Sequence, residues 1–376
     1  VFLNYIFNIP TKGFSGNILR TADYLNRVSS VSAGFVSLAS LSGDTLEDAL
    51  KTVSPARNAF PVFASQQMGF SLSKMVSHHL FDKRLFESAD ISCCNTLCDS
   101  FTLWAGGFFE RSDVASENQN PEYKFNSEAG MIGCDYKINP DILVGAGAGY
   151  GYTSLSESGD KGSASVDYYF GTLYSNADCD CFYVESALWG IFHQAHNKRH
   201  IYFPGFDAYA KGNFNGWQCV PHIGFGIKAP FSWVVVEPFI AFDWVVNWED
   251  DLDEHGTDSF DIQQKALTTS LLQSQAGVRF YNEFFCSWGI FGAKEEVSYL
   301  NRTLFGSGKV KAALIGSRDY FSLDAFSKTQ NLVGLNIELF VRPECLSGCV
   351  LSLDYDGEFG SELESNLAIL KISFDF

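Results

Sequence analysis

The chain has only 3 Met and 10 Pro, and its 26 Lys and Arg fall well short of its 44 Asp and Glu. The resulting formal charge of −18 opposes the counterion release by which basic proteins bind nucleic acid, so no nucleic-acid partner is expected. No apolar run of about eighteen residues occurs, which excludes a lipid-exposed transmembrane helix and leaves a closed barrel as the one way for this chain to span a bilayer. A leader is missing too: the sequence opens on Val1 without a basic stretch followed by an apolar one, so its start reads as truncated. The cysteines lack zinc spacing. Cys179 with Cys181 and Cys345 with Cys349 belong to no four-cysteine pattern, which leaves disulfides and unpaired thiols both open.

What is abundant suits strands. With 376 residues, 46% of them hydrophobic, the chain can bury a large core, and disorder is not expected. Its 35 Phe, 16 Tyr, 7 Trp and 33 Gly favour strands and tight turns over helices.

The hydrophobic period divides the chain near residue 100. Before it the signals are helical: Ile18, Leu19, Ala22 and Leu25 share one face of a helix from Asn17 to Val28, Asp44 can cap a helix from Thr45 to Val53, and Ser54 with Pro55 is a helix start. Residues 62–81 would make a helix of roughly 30 Å, about the thickness of a bilayer core. Gln66, Lys74 and His78 make it too polar for lipid, though with Leu72 it would fit a polar lumen.

From residue 101 the period is two. Gly145, Gly147 and Gly149 fall on one face of a strand and Val144, Ala146, Ala148 and Tyr150 on the other, with the glycines read as making lumen space for the helix. Leu370, Ile372, Phe374 and Phe376 oppose Lys371, Ser373 and Asp375 in the same way, as Ile240 and Phe242 oppose Glu237 and Asp243. Twelve such segments begin near residues 101, 123, 141, 164, 180, 212, 231, 268, 284, 326, 347 and 365. Short connections (137–140, 176–180, 229–232, 281–284, 343–348) alternate with longer polar ones (111–121, 157–162, 194–210, 248–264, 295–325, 356–364). An even strand count with this alternation predicts an all-β fold, a 12-stranded antiparallel up-and-down transmembrane β-barrel, with short turns on the periplasmic side and an N-terminal α-helix threading the lumen. The predicted lumen-facing set is Gly145, Gly147, Gly149, Glu185, Glu237, Asp243, Arg279, Glu338 and Asp354, some of whose charges would hold Lys74 or His78.

Several stretches of this sequence resemble a known family. "LSGDTLEDALKTVSPARNAF" (residues 41–60) is similar to the pre-barrel segment of autotransporters and "MGFSLSKMVSHHL" (68–80) to their pore helix. "LWAGGFF" (103–109), "GMIGCDYKINPDILVGAGAGYGYT" (130–153), "VEPFIAFDWV" (236–245) and "LDYDGEFGSELESNLAILKISFDF" (353–376) resemble strands of the translocator barrel. The resemblance implies type V secretion in a Gram-negative outer membrane and the following division. Residues 1–43 are the end of a passenger or a spacer, 44–100 the pre-barrel linker with the pore helix, and 101–376 the barrel. It also implies that Leu370, Ile372, Phe374 and Phe376 form the assembly signal read by the barrel-assembly machinery. The other implied associates are outer-membrane lipid and a covalently linked upstream passenger, and the barrel is expected to be a monomer without cofactor or catalytic activity. Cys93, Cys94 and Cys98, unusual for the family, resemble the cysteine-rich envelopes of chlamydia-like bacteria. No Asn-Asn pair marks self-cleavage in the pore helix.

Other motifs read blandly. "GAGAGYG" lies within a strand rather than between strand and helix, so it is not a dinucleotide loop. His196 and His200 read as an exposed cationic loop, Asp250, Asp251, Asp253 and Glu254 as a solvated acidic face, and Trp104, Trp233, Trp244 and Trp288 as girdle or strand aromatics. The alternatives to secretion are a diffusion porin, a surface adhesin barrel without translocation, and an outer-membrane hydrolase.

Overall fold

The computed structural model describes residues 8–28, 32–89, 101–116, 119–159, 162–179, 181–306, 308–346 and 348–376, with the backbone alone for 85–89. Cys93, Cys94 and Cys98 lie outside the described residues.

Twelve antiparallel strands form one closed sheet: β1 (Phe101–Val114), β2 (Tyr123–Asn139), β3 (Ile142–Glu157), β4 (Gly162–Cys179), β5 (Phe182–Phe203), β6 (Phe206–Ile227), β7 (Val235–Glu249), β8 (Leu267–Cys286), β9 (Gly289–Phe305), β10 (Thr329–Pro343), β11 (Cys349–Gly360) and β12 (Leu363–Asp375). Each pairs with its successor, and β12 returns to β1 in unbroken register from Asp375 opposite Thr102 to Leu363 opposite Val114. Closure leaves the barrel without an exposed strand edge. Along β10, Asn336 and Glu338 are buried inside while Leu335, Ile337 and Leu339 are exposed outside. Polar inside and apolar outside is the inverse of a water-soluble core and the pattern a bilayer requires.

Several boundaries differ from those read in the sequence: most strands run on into residues read as connections, while those read as starting near 231, 284 and 326 begin at Val235, Gly289 and Thr329. The stretch 194–210 is no loop: β5 and β6 pair without a break up to Phe203 opposite Phe206, and Pro204 with Gly205 makes the turn, Gly205 having φ +85°. Alternation persists there, with Arg199, Ile201 and Phe203 buried and Lys198 and Tyr202 exposed. Likewise β8 passes through residues 281–284 to Cys286, β9 extends to Phe305, and β11 to Gly360.

Before the barrel come α1 (Gly16–Val28), α2 (Ala33–Ala39), α3 (Gly43–Val53), a 3-10 turn (Pro55–Ala59) and α4 (Phe60–Ala89). Ser42, not Asp44, stands at the N-cap of α3; Asp44 lies in its first turn, where a carboxylate still complements the helix dipole. The seven described cysteines are free thiols: Cys179, Cys181, Cys286, Cys345 and Cys349 at the short-turn end and Cys134 and Cys219 on the wall.

At the opposite end, the connections after β7 and β9 carry a small sheet of their own, with strands Phe321–Asp324, Lys309–Leu314, Ile262–Gln264 and Leu252–Asp253 in that order. Helix α1 packs on it, α2 lies against β6 and the connection after β7, and α3 lies against β5 and α1. Tyr24 stacks on Phe321 at 4.1 Å and Phe35 on Phe260 at 5.1 Å.

Candidate functional site

The interior is filled by α4, which enters at the loop end, where Phe60 stacks on Tyr123 of β2 at 4.0 Å. It leaves at the short-turn end, where Lys83 donates to Thr102 at 2.8 Å and pairs with Asp375. At 1.5 Å per residue its 30 residues give about 45 Å, longer than the hydrocarbon core. Interior proline is absent after Pro61, and the single interior glycine, Gly69, marks a close approach: a Cβ there would stand 3.0 Å from Gln218 and 3.2 Å from Val220 of β6.

Polar contacts hold α4 in layers. Near its start Gln66 donates to Thr269 at 2.9 Å, and Gln67 donates to Glu110 at 2.8 Å. Glu358 lies below, receiving two bonds from Arg302 at 2.9 and 2.7 Å and pairing with Lys74 at 2.8 Å, while Lys74 also reaches Asp356. Ser73 donates to Asp243 at 2.5 Å, and Asp243 in turn holds His222 at 2.7 Å. Lower still, Ser77 and Arg84 both bind Glu185 at 2.6 Å, and Arg84 reaches Glu237 at 3.4 Å, as Arg279 does at 3.3 Å. Asp82 lies between Lys294 and Lys371, which are shared with Glu338 and Asp354. His79 bonds Asp135 at 2.7 Å and stacks on Trp104 at 4.2 Å.

Burying so many charges is tolerable because most face an opposite charge, while Glu110 is held by neutral donors, Gln67, Ser71 and Ser365. This makes the seat specific, since a helix displaced by one turn would leave several charges unpaired, each broken pair costing about 3–5 kcal/mol. Apolar residues complete the fit, Leu72 being fully buried. Among the described residues no cluster of His, Cys, Asp and Glu could hold a metal ion.

An autotransporter β-domain family model matches residues 103–342. The chain belongs to the autotransporter β-domain family. Its fold is similar to the translocator domain of the autotransporter NalP from Neisseria meningitidis, at 16% identity and TM-score 0.58 over 81% of this chain and 98% of that one. The β domain of the Bordetella autotransporter BrkA is similar at 13% identity and TM-score 0.58, over 74% and 100% of the two chains. So is the transport unit of AIDA-I from Escherichia coli, at 15% and 0.52 over 79% and 97%. These identities establish likeness of fold alone, and no curated protein matches the chain.

This autotransporter β-domain is thus a Gram-negative outer-membrane translocator, a transport domain joined to the passenger it exports. The barrel with its N-terminal helix is the fold that the sequence pattern predicts. Its short-turn end is periplasmic and its loop end extracellular.

Some readings of single residues change. Trp104 is no girdle residue: it is 3% exposed, inside the lumen, and donates to Tyr174 at 2.6 Å, whereas Trp244 faces outward and Trp233 and Trp288 are exposed at periplasmic turns. The glycine face of β3 does point inward, but the space at Gly145, Gly147 and Gly149 is taken by Tyr174, Met131 and Phe170 of the wall; Gly151 is the β3 glycine that meets the helix, at Met68. His196 and His200 lie on β5 rather than in a loop, with His200 bonded to Asp207 at 2.9 Å. Glu254 is buried against Arg199 at 2.6 Å and is not part of a solvated face.

Of the predicted lumen set, Asp354 faces His78 at 3.7 Å, but Lys74 is held by Asp356 and Glu358, neither of which is in it. Glu358 was legible: continuing the alternation of Ser352, Asp354 and Asp356 by one step points it inward. Glu110 and Arg302 were overlooked because Glu110 falls between the stretch read as first strand (103–109) and the connection read from 111, and Arg302 lies in a stretch read as loop.

Proposed function

We propose that this barrel exports the chain preceding residue 60 through its own lumen and is then closed by α4, with Lys74, Ser73 and Arg84 as the groups that fix the helix against Glu358, Asp243 and Glu185. The observation that carries this reading is the direction of α4, whose N-terminal end lies at the extracellular mouth while its other end sits beside the start of β1. On this reading residues 8–59 are the surface end of the exported chain, the barrel works as a monomer, and Leu370, Ile372 and Phe374 on β12, with Phe376 just past its end, are its assembly signal.

A porin would have the same wall and an empty lumen. A Ser73→Cys, Asp243→Cys double variant separates the two, because a helix seated in the cell places these thiols within bonding reach. Oxidised outer membranes should contain barrel whose electrophoretic mobility changes on reduction; two thiols that never join under oxidation would favour the porin.

The outward face supplies a second expectation. Ile240, about half exposed, sits within the apolar band of β7, so Ile240→Arg should destabilise the inserted barrel by about 2–4 kcal/mol. Urea titration of the barrel refolded in lipid vesicles measures it. An unchanged midpoint would mean that β7 does not face lipid at that depth.

A further inference from the structure

The small extracellular sheet has a dependence that its size makes explicit. Its strands are two to six residues long, too short to be stable without a covered face. The cover is α1. Asn17 Nδ2 donates to the Asp324 carbonyl at 2.7 Å while the Asp324 N–H donates back to Asn17 Oδ1 at 2.9 Å, so a side chain completes the edge strand. Leu314 N–H donates to the Tyr24 hydroxyl at 2.7 Å, and the Tyr24 ring stacks on Phe321. Ile18 N–H is received by Gln119, from the connection after β1, at 3.0 Å.

Further down the same segment, Arg199 of β5 is fully buried and donates to the last carbonyls of α3, Thr52 at 3.1 Å and Val53 at 2.7 Å, while its guanidinium also binds Glu254. Asn58 joins Glu254 at 3.0 Å. From Val53 the chain passes through Ser54 and the buried turn Pro55–Ala59 straight into α4, so there is no slack by which α4 could shift while α3 stays docked.

We propose that the extracellular connections after β1, β7 and β9 form a docking surface for residues 16–28 and 32–53 of the same chain, and that the docked segment is an end-stop which keeps α4 from withdrawing toward the periplasm. The inference rests on the export reading above. The connections acquire their sheet when this segment arrives outside, and the folded cap is then too wide to re-enter a lumen that α4 already fills. Two devices therefore act on α4: wall charges set its depth, and the cap prevents its return.

The test uses the full chain with Asn17→Ala and Tyr24→Ala together, and Tyr24→Phe alone as a milder variant that keeps the ring but not the hydroxyl. Heat-modifiable migration checks that the barrel has formed. Amide exchange at 262–264 and 309–314 should rise at least about tenfold in the double variant, less in Tyr24→Phe, while β10 to β12 stay protected. By sequence α4 carries a net positive charge, Lys74, Lys83 and Arg84 against Asp82 and Glu87. In planar bilayers the double variant should therefore show channel openings at least about tenfold more frequent than the parent when the periplasmic side is negative, and no such increase at the opposite polarity. Unchanged exchange would overturn the docking dependence, and raised exchange with unchanged or polarity-independent opening would overturn the end-stop. Both outcomes leave the disulfide test of the seated helix independent.

Discussion

Removing residues 62–81 should leave a folded barrel and convert a closed channel into an open one. The wall strands bond to each other along every seam, including β1 to β12, and need no backbone bond from α4. What the wall loses is charge compensation: Glu358 keeps Arg302 and Asp243 keeps His222, but Asp356 loses the lysine opposite it. The vacated lumen is polar and would fill with water, so its carboxylates can be solvated where they were once paired. The expected result is a heat-modifiable protein with strand-rich circular dichroism and a large, steady, cation-preferring conductance in planar bilayers. A deleted barrel that inserts and conducts no better than the parent would mean that α4 is not what closes the pore.

Deletion of Phe374–Phe376 should abolish the inserted barrel in cells yet spare refolding from urea into detergent. The two outcomes differ because little of the seam is lost. Phe374 pairs with Cys349 and Leu103, Asp375 with Thr102, and the Phe376 N–H donates to the Phe101 carbonyl at 2.9 Å, but β12 retains its register with β1 from Ser373 opposite Trp104 upward. A signal read by the assembly machinery would be destroyed by this deletion, whereas a merely structural end would fray. Normal surface-exposed barrel in cells making the truncated chain would remove the assembly role from these residues. Failure in detergent as well would assign them to stability.

Much of this was legible because a membrane barrel writes its geometry twice. Alternation along each strand gives the face, and alternation of connection lengths gives the end of the barrel, so the order of twelve strands and the inward direction of Glu185, Glu237 and Asp243 follow from period two. Boundaries were less legible. Polarity marks where lipid ends, not where hydrogen bonding ends, and β5 and β6 rise to Phe203 and Phe206 with a polar outer face and a buried inner one. Partners across the lumen were legible least. That Lys74 meets Asp356 and Glu358 depends on the rotation and depth of α4, which no strand pattern encodes, and the helix is polar on too many sides for its sequence to select a face. The extracellular cap was hidden for another reason: Arg199 and Glu254 lie in stretches whose composition reads as solvent-exposed, and Arg199 is buried by α3 and by Phe260, both far from it in sequence.

The central claim is that the chain ahead of α4 has passed through the lumen to the outside of the cell, and surface labelling tests it most directly. Asp44 is exposed at the start of α3, and none of the described native cysteines lies at the extracellular end. An Asp44→Cys variant should react on intact cells with a maleimide too large to cross the outer membrane, while Asp141→Cys in the turn between β2 and β3 should react only after the membrane is permeabilised. Labelling of position 44 only after permeabilisation, with a correctly inserted barrel, would place the segment in the periplasm and contradict the account.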